Sequence, residues 1–374
     1  MIAESYTLYG VEGSYYAAKI RSYLRCKGIP FKEIQSDRQA YAEVIVPRVG
    51  YPIVPIVITP EDATLQDTAE IIDILERRHP APPMIPLTPV RRFAVYLMEL
   101  YADEWLKVPA LYYRWHYDYE FASNMMGYNN DPASAPEEQR RVGAKIALQF
   151  QDWPEHLGAS EATREAVEAS FIECLALLDV HFAEHNFAFG DRPCLADCAL
   201  MGPFYAHLYR DPYSGAIVRD KAPMLCAWIE RMRAQEPSTT SAVEASDTVP
   251  DTILALLRHL GRDYVPVLTT AMPILQAWLG NRHVEVIPRY AGKHRFTLGH
   301  GQPYEAEGMR SIYPFEQWKL QRVLEVFASY SDGTRDKLKC FCEDIDAAEL
   351  LNLNFPNRLK REGFRLVRAD VCVE

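Results

Sequence analysis

The sequence predicts a small α/β domain, then an all-helical domain, and then an α+β extension at the C-terminus. A strand-like segment passes through a glycine-containing turn into a helical pattern within residues 6–28. Apolar residues then recur at helical spacing as far as residue 236, and a polar stretch typical of a linker follows at 236–250. Since a chain of 374 residues is too long for one average core, we expect several domains. The predicted boundaries are 1–82, 88–236 and 251–374.

Charge and composition exclude several classes of function. The net charge is −11 and no basic stretch is dense, which argues against a nucleic-acid partner. No segment approaches ~18 uninterrupted apolar residues, and the N-terminus lacks the pattern of a secretory signal, so we expect no membrane span. The eight cysteines form no Cys-x-x-Cys pair and no zinc-finger spacing. We therefore expect reduced thiols in a cytoplasmic protein, and no metal.

Residues 6–28 have the pattern of a strand, a turn and a helix. Tyr6 and Leu8 fit a short buried strand, and the glycines after them fit a turn. Apolar residues then recur at helical spacing up to Gly28, which suits a left-handed cap. Ser14 precedes this helix, where backbone N–H groups are unpaired and the helix dipole is positive. A hydroxyl there can cap the helix, and the position also favours an anion such as a thiolate.

The residues that follow complete a compact α/β pattern. Residues 31–35 alternate like a half-buried strand, so the two strands and their connecting helix predict a parallel βαβ unit. A polar segment with some helical character comes next, then a predicted hairpin over residues 51–65. Residues 66–76 predict an amphipathic helix with Asp67 in its first turn or at its N-cap. The order βαβ, α, ββ, α is that of a thioredoxin-like domain.

Helical signals dominate the next region. Thr88 and Pro89 suit an N-cap and a first helical residue, and Ser134 with Glu137 fits a capping box. The sequence of the extension predicts both helices and strands. A helical pattern over 252–279 is broken by Gly261, Pro266 and Pro273, and further helices are predicted over 315–329 and 336–342. A hairpin with Gly292 is predicted over 283–298, and a last strand over 365–373. No motif in the extension predicts a function.

Residues 1–236 resemble the cytosolic glutathione transferases of the serine type. The segment 14–21, SYYAAKIR, is similar to the SPxxxKVR segment of that family, with tyrosine in place of proline. Val54-Pro55 stands where the family has a cis proline, and Gln66-Asp67 stands where it has Glu or Gln followed by Ser or Thr. Residues 189–200, FGDRPCLADCAL, resemble the family's Gly-Asp turn and Ser/Thr-x-x-Asp cap of a buried helix.

The resemblance implies an enzyme that activates the thiol of glutathione, its co-substrate, for attack on a small hydrophobic electrophile. It also implies detoxification as the role, a homodimer, and no metal. Ser14 would donate a hydrogen bond to the thiolate, and Tyr9 is the alternative donor. The residues implied in binding glutathione adjoin the predicted hairpin and the helix after it: Val54, Pro55, Gln66 and Asp67.

Three residues of the helical region are candidates for the wall of the electrophile site: Tyr112, Trp115 and His116. Packing between helices explains them equally well. Two other functions stay open: a glutathione-dependent lyase, dehalogenase or isomerase, and a binding or structural protein of this fold without catalysis, because fold does not imply function.

Overall fold

The computed structural model describes residues 5–234, 246–282 and 285–369. Its first part contains the predicted α/β elements: β1 (Tyr6–Gly10), α1 (Tyr15–Lys27), β2 (Phe31–Gln35), α2 (Arg38–Ala40), a π-helical turn (Tyr41–Ile45), α3 (Val46–Val49), β3 (Ile56–Ile58), β4 (Thr64–Gln66) and α4 (Thr68–Arg78). The strands form a sheet in the order β2-β1-β3-β4. Strand β1 is parallel to β2 and antiparallel to β3, and β4 is antiparallel to β3. This mixed sheet confirms the predicted thioredoxin-like domain.

Helix α1 begins and ends at the predicted residues. Ser14 is the N-cap, and Gly28 adopts φ 71°, the left-handed conformation that glycine tolerates without steric cost. Between them, Ala17, Ile20 and Leu24 are fully buried. The helix is therefore stabilised by an apolar face against the core as well as by both of its caps.

Helices follow as predicted, with two π-helical segments between them. They are α5 (Pro89–Leu100), Tyr101–Trp105 (π), α6 (Lys107–His116), α7 (Tyr119–Asn130), α8 (Pro136–Ala147), α9 (Trp153–His156), α10 (Arg164–Glu184), α11 (Leu195–Leu200), Phe204–Tyr209 (π), α12 (Pro212–Lys221) and α13 (Pro223–Arg233). The predicted capping box at Ser134 is wrong. Pro136 starts α8 and Ala135 is its N-cap, because proline suits the first helical position, and the Ser134 hydroxyl donates to the Asp131 carbonyl instead.

Asp197 caps α11 from inside the core. Its carboxylate accepts the backbone N–H groups of Ala188 and Cys194, both at 2.9 Å, and the indole N–H of Trp228 at 3.1 Å. Burial raises the pKa of Asp197, although these donors act against the rise. The acidic half of the predicted cap is therefore present, with a folding role.

The extension contains α14 (Asp251–Asp263), α15 (Val265–Gly280), β5 (Lys293–Leu298), β6 (Ala306–Ser311), α16 (Pro314–Ala328), α17 (Asp332–Asp344), a 3-10 helix (Ala348–Asn352), β7 (Leu359–Glu362) and β8 (Arg365–Arg368). Three predictions were wrong in detail. Gly261 lies inside α14 and Pro273 lies inside α15, and neither residue ends its helix. Strand β5 pairs with β6 rather than with residues before Gly292. The predicted break at Pro266 is confirmed, since α15 begins at Val265. The predicted last strand ends at Arg368, and residues 370–374 lie outside the described part. Residues 236–245 of the predicted linker and residues 283–284 of the predicted hairpin also lie outside it.

Within the described residues the chain divides into two compact units. The first takes in Met1–Pro86, Ala110–Trp153 and Phe182–Glu244, and the second takes in Leu87–Pro109, Pro154–His181 and Ala245–Glu374. This grouping is not the division at residues 82, 88, 236 and 251, which stays a prediction. In the second unit, Asp247 caps α5: its carboxylate accepts the N–H groups of Val90 and Arg91 at 2.8 and 3.2 Å.

The described cysteines all carry free thiols, and most of them are buried: Cys26, Cys174, Cys194, Cys198 and Cys342. Burial raises the pKa of both Cys174 and Cys342 to about 12. Cys340 is exposed. None of the helices in residues 5–234, 246–282 and 285–369 combines the length and apolar character needed to cross a lipid bilayer.

Candidate functional site

One end of the sheet brings the sequence-predicted site residues together. Tyr9 of β1 lies opposite Ile56 of β3, and Ile56 lies opposite Gln66 of β4. Because β3 runs antiparallel to both neighbours, its first residue lies beside the last residues of β1 and β4. The predicted residues on or next to this end are Tyr9, Ser14, Val54, Pro55, Gln66 and Asp67.

Ser14 sits at the end of a tight turn that leads from β1 into α1. Its N–H donates to the Val11 carbonyl at 3.0 Å, and its half-buried side-chain oxygen accepts the N–H of Ala17 at 3.3 Å. The N-capping role predicted for Ser14 is therefore confirmed. Because a hydroxyl oxygen can accept one bond while its proton donates another, the cap leaves the O–H able to serve a ligand.

A cluster of charges behind the turn was missed by the sequence reasoning. Glu12 accepts the hydroxyl of Tyr205 and pairs with Arg210 at 3.2 Å and with Arg21 at 3.6 Å. The buried Arg21 guanidinium also forms a two-pronged contact with Glu33 at 2.7 and 2.6 Å. Burial tends to raise the pKa of Glu12, but the Tyr205 hydroxyl and the two arginines outweigh it, and the pKa is lowered. Glu12 therefore stays ionised, and the contacts of its side chain with Tyr205, Arg210 and Arg21 hold the turn in place.

Asp67 has an unusual backbone at the start of α4. Its φ of 72° and ψ of 133° lie in a region that residues other than glycine rarely adopt. The carboxylate caps the helix by accepting the N–H groups of Ala69 and Glu70 at 2.9 and 3.3 Å, as predicted. Such outliers cost about 1–3 kcal/mol each and cluster at functional sites.

Gln66 and Pro55 flank Ile56 at this end of the sheet. Gln66 is buried, and its side-chain oxygen accepts the hydroxyl of Tyr51 at 3.2 Å. The Val54–Pro55 peptide bond is cis, as the resemblance implies. Both residues thus have defined conformations beside Tyr9, which is half-buried on β1.

The predicted wall residues lie on α6 and pack against other aromatic rings. Tyr112 and Trp115 are buried. The Trp115 ring stacks on Phe150 with centroids 5.9 Å apart, and the Tyr112 ring stacks on His116 at 5.1 Å. His116 itself is exposed. The burial of Tyr112 and Trp115 favours helix packing, and a part in substrate binding stays a prediction.

A serine, a histidine and an aspartate meet in the second unit, and the sequence reasoning missed them too. The Ser170 hydroxyl donates to Asp263 at 2.7 Å and lies 3.1 Å from Nε2 of His259. Asp263 also lies 3.3 Å from that same Nε2, whereas a catalytic triad needs the acid on the opposite ring nitrogen. The cavity that Ser170 and His259 help to line measures about 10 Å³, room for a single water. The cluster is therefore a buried polar network without space for a substrate.

The described residues contain no group of three or more His, Cys, Asp or Glu side chains arranged to hold a metal ion. No curated protein matches the chain.

Several solved structures are similar to part of the chain. A glutathione S-transferase from Methylobacterium radiotolerans, in complex with glutathione sulfonate, is 21% identical with a TM-score of 0.40, and the match covers 66% of this chain and 98% of that one.

Two more solved structures show likeness of the same order. A beta-etherase from Sphingobium sp. strain SYK-6 is 18% identical with a TM-score of 0.44, covering 62% of this chain and 96% of that one. A glutathione S-transferase from Methylobacillus flagellatus with GSH bound is 18% identical with a TM-score of 0.38, and the match covers 63% of this chain and 100% of that one.

Two family models match the sequence itself. Residues 8–83 match the model described as the N-terminal domain of glutathione S-transferase, and residues 141–236 match the model of its C-terminal domain. The first match contains the sheet end with Ser14 and Asp67, and the second contains the Asp197 cap. Residues 8–83 and 141–236 of the chain therefore correspond to the N- and C-terminal domains of the glutathione S-transferase family.

Proposed function

We propose that the chain binds glutathione at the end of the mixed sheet and activates its thiol for attack on a small hydrophobic electrophile. The observation that carries the proposal is the position of Ser14, whose half-buried hydroxyl caps α1 beside the strand ends. A sulfur placed there meets the positive end of the α1 dipole.

The energies required are within the range of such a site. A free thiol has a pKa of about 8.5, so only a few per cent is thiolate at neutral pH, and lowering the pKa by two units takes roughly 2.7 kcal/mol. A hydrogen bond to a charged group contributes about 1.5–3 kcal/mol, and a helix N-terminus about 0.3–1 kcal/mol. Ser14 would donate to the thiolate, and the thiolate, not the serine, would be the nucleophile.

The other end of glutathione would lie against Gln66 and Asp67. Both residues precede α4, and the positive end of the α4 dipole favours a carboxylate, while the Asp67 carboxylate can engage an ammonium group. The backbone of Val54, before Pro55, would pair with the cysteinyl amide. The unusual φ of Asp67 supports this assignment, since it fixes the direction in which the chain enters the helix.

The rival donor and the electrophile site complete the proposal. Tyr9 is the rival donor to the sulfur, because it is half-buried near the end of β1, just before the turn. The electrophile would lie against α6, with His116 the exposed candidate among its predicted wall residues. A homodimer, a cytoplasmic location and a role in detoxification stay predictions.

The test is retention on immobilised glutathione together with conjugation of glutathione to a generic aryl halide. We expect the wild type to be retained and active, Ser14→Ala to be retained with turnover lost, and Tyr9→Phe to resemble the wild type. If the wild type is not retained, the proposal is wrong. If Tyr9→Phe loses turnover while Ser14→Ala keeps it, the donor is Tyr9. Retention without any conjugation would indicate a binding protein, and analysis of the product would distinguish conjugation from lyase, dehalogenase or isomerase chemistry.

A further inference from the structure

A buried arginine from the helical region contacts the turn that presents Ser14. The Arg114 side chain is 4% exposed and forms a two-pronged ion pair with Asp211 at 2.6 and 2.7 Å. The same guanidinium donates to the carbonyl of Gly13 at 3.2 Å and to that of Ala206 at 2.8 Å. One side chain thus joins α6, the residues before α12, and the residue directly before Ser14.

The neighbouring histidine completes this arrangement. Nη1 of Arg114 lies 2.7 Å from Nε2 of His207, and because a guanidinium only donates, Nε2 is the acceptor. Burial, and then the charge of Arg114, hold the pKa of His207 well below its usual range. His207 therefore stays neutral, and the nearest carboxylate to compensate the arginine is that of Asp211.

The turn is held at each residue that leads to Ser14. The Val11 carbonyl accepts Nη2 of Arg21 at 3.4 Å, the Glu12 side chain is held by its own cluster, and the Gly13 carbonyl is held by Arg114. Gly13 is also tightly packed, since a Cβ there would lie 2.6 Å from the sulfur of Met125. The Gly13 contact is the last one before Ser14, so it sets the orientation of the peptide plane that leads into the N-cap.

We propose that Arg114 is a positioning residue for the Ser14 hydroxyl, an inference that rests on the proposed glutathione chemistry. By holding the Gly13 carbonyl, Arg114 keeps the hydroxyl at the distance and angle at which it can donate to a bound sulfur. Small displacements of a catalytic group are costly, and about 1 Å can reduce a rate by 10²-fold. Lysine can keep the charge opposite Asp211 but has three donors on a single nitrogen and cannot reproduce the fork.

The experiment compares the full-length wild type with Arg114→Lys over pH 6.5 to 9, using glutathione and an aryl halide. We expect kcat/KM of the variant to be about five- to tenfold lower at pH 6.5, because raising the pKa of the bound thiol by one unit reduces the fraction of thiolate by up to tenfold. The deficit should shrink as the pH rises and the thiolate forms without help. Amide hydrogen exchange across residues 11–17 should be faster in the variant.

The matched control is Arg231→Lys, since Nε of Arg231 also donates to a backbone carbonyl, that of Asn186 at 3.0 Å, without touching the turn. It should retain the wild-type pH profile. If Arg114→Lys does not fold, the double variant Arg114→Gln/Asp211→Asn removes the Gly13 contact without leaving one buried charge unpaired, and the same pH-dependent deficit is expected.

The two proposals fail in different ways. A wild type that neither binds nor conjugates glutathione overturns the proposed function and, with it, the role of Arg114. A wild type that is active, together with an Arg114→Lys variant whose deficit is zero or constant with pH, overturns the positioning role alone. In that case Arg114 contributes only to stability.

Discussion

Two serines in this molecule have nearly opposite surroundings. Ser14 lies at the N-terminus of α1, half-buried, with its oxygen accepting one backbone N–H. Ser170 lies within α10, is 6% exposed, and donates its proton to Asp263. Only the second has both a histidine and an aspartate within hydrogen-bonding distance, yet only the first can meet a ligand. Under the proposed function, access to a ligand matters more for the role of a serine than the residue types nearby.

The buried charged groups of the two units also differ. Near Ser14, the side chains of Arg21 and Arg114 reach the backbone of the turn. In the second unit, buried charges pair with each other: Arg310 with Glu316 at 2.6 Å and Lys319 with Asp103 at 2.8 Å. Arg21 and Arg114 are also in ion pairs, with Glu33 and Asp211. Under the proposal, the first arrangement orients an accessible group, whereas the second stabilises a core.

The sharpest test of this comparison is the turnover of two alanine variants. We expect Ser14→Ala to lose about 10²-fold in kcat/KM at neutral pH, equivalent to about 2.7 kcal/mol of barrier, because the thiolate loses its donor. Ser170→Ala should conjugate glutathione at the wild-type rate. Steady-state kinetics with an aryl halide measures both. Equal losses in the two variants would contradict the distinction.

The loss of stability should follow the reverse order, with Ser170→Ala losing more free energy of unfolding than Ser14→Ala. Ser170→Ala leaves Asp263 and His259 short of a hydrogen-bond partner in the core, which we expect to lower the free energy of unfolding by about 1–3 kcal/mol. Ser14→Ala loses an N-cap, worth about 1 kcal/mol. Urea denaturation followed by circular dichroism gives both values. A Ser170→Ala protein as stable as the wild type would show that the network is dispensable.

Acid should destabilise both units through their buried histidines. Burial lowers the pKa of His207 in the first unit and of His259 in the second, and Asp263 partly offsets the effect at His259. The unfolded chain then binds more protons below its own histidine pKa of about 6.5, so stability is full above that pH and is lost as the pH falls, by about 1.4 kcal/mol per unit of pKa difference.

The contribution of each histidine is separable by its variant. Tm measured between pH 7.5 and 5 should fall less steeply for His207→Gln than for His259→Gln, because the pKa of His207 is the more strongly lowered. If the Tm of His259→Gln falls less steeply than that of His207→Gln, the main acid-sensitive group is His259 in the second unit.

The smallest effect is expected at Asp67. Asp67→Ala removes the acceptor of the Ala69 and Glu70 N–H groups and should cost about 1 kcal/mol of unfolding free energy. Asp67→Asn keeps an accepting oxygen and tolerates positive φ, so its stability should be near that of the wild type. Binding of glutathione, followed by calorimetry, should nevertheless weaken in Asp67→Asn if the carboxylate engages the ammonium group. Unchanged binding would limit Asp67 to capping.

Local signals in the sequence were sufficient for most of the fold. The cap residues Ser14 and Gly28 and the alternation of residues 31–35 are short-range features, and each element they predicted is present. The predicted helix break at Pro273 was wrong, because a proline in a helix can be tolerated where tertiary packing holds the helix, and α15 is buried along one side. The partner of β5 was missed because nothing in a single strand specifies its neighbour.

The site was predictable only where its residues adjoin the sheet. Ser14, Pro55 and Asp67 follow or precede strands, so their meeting follows from topology. Arg114 and Tyr205 reach the turn from far along the chain, and an arginine in a helix carries no sign of its partner. Long-range polar contacts of this kind become visible only in the folded structure.

The buried cysteines have a consequence if the protein acts on electrophiles as proposed. An electrophile reacts with thiolates, and burial raises the pKa of the Cys174 and Cys342 thiols to about 12, so both stay protonated at neutral pH. Among the described residues, the exposed Cys340 is the thiol most open to alkylation. The protein would thus resist self-inactivation by its own substrate, since a reagent that enters the site encounters the thiolate of the co-substrate before a reactive thiolate of the chain.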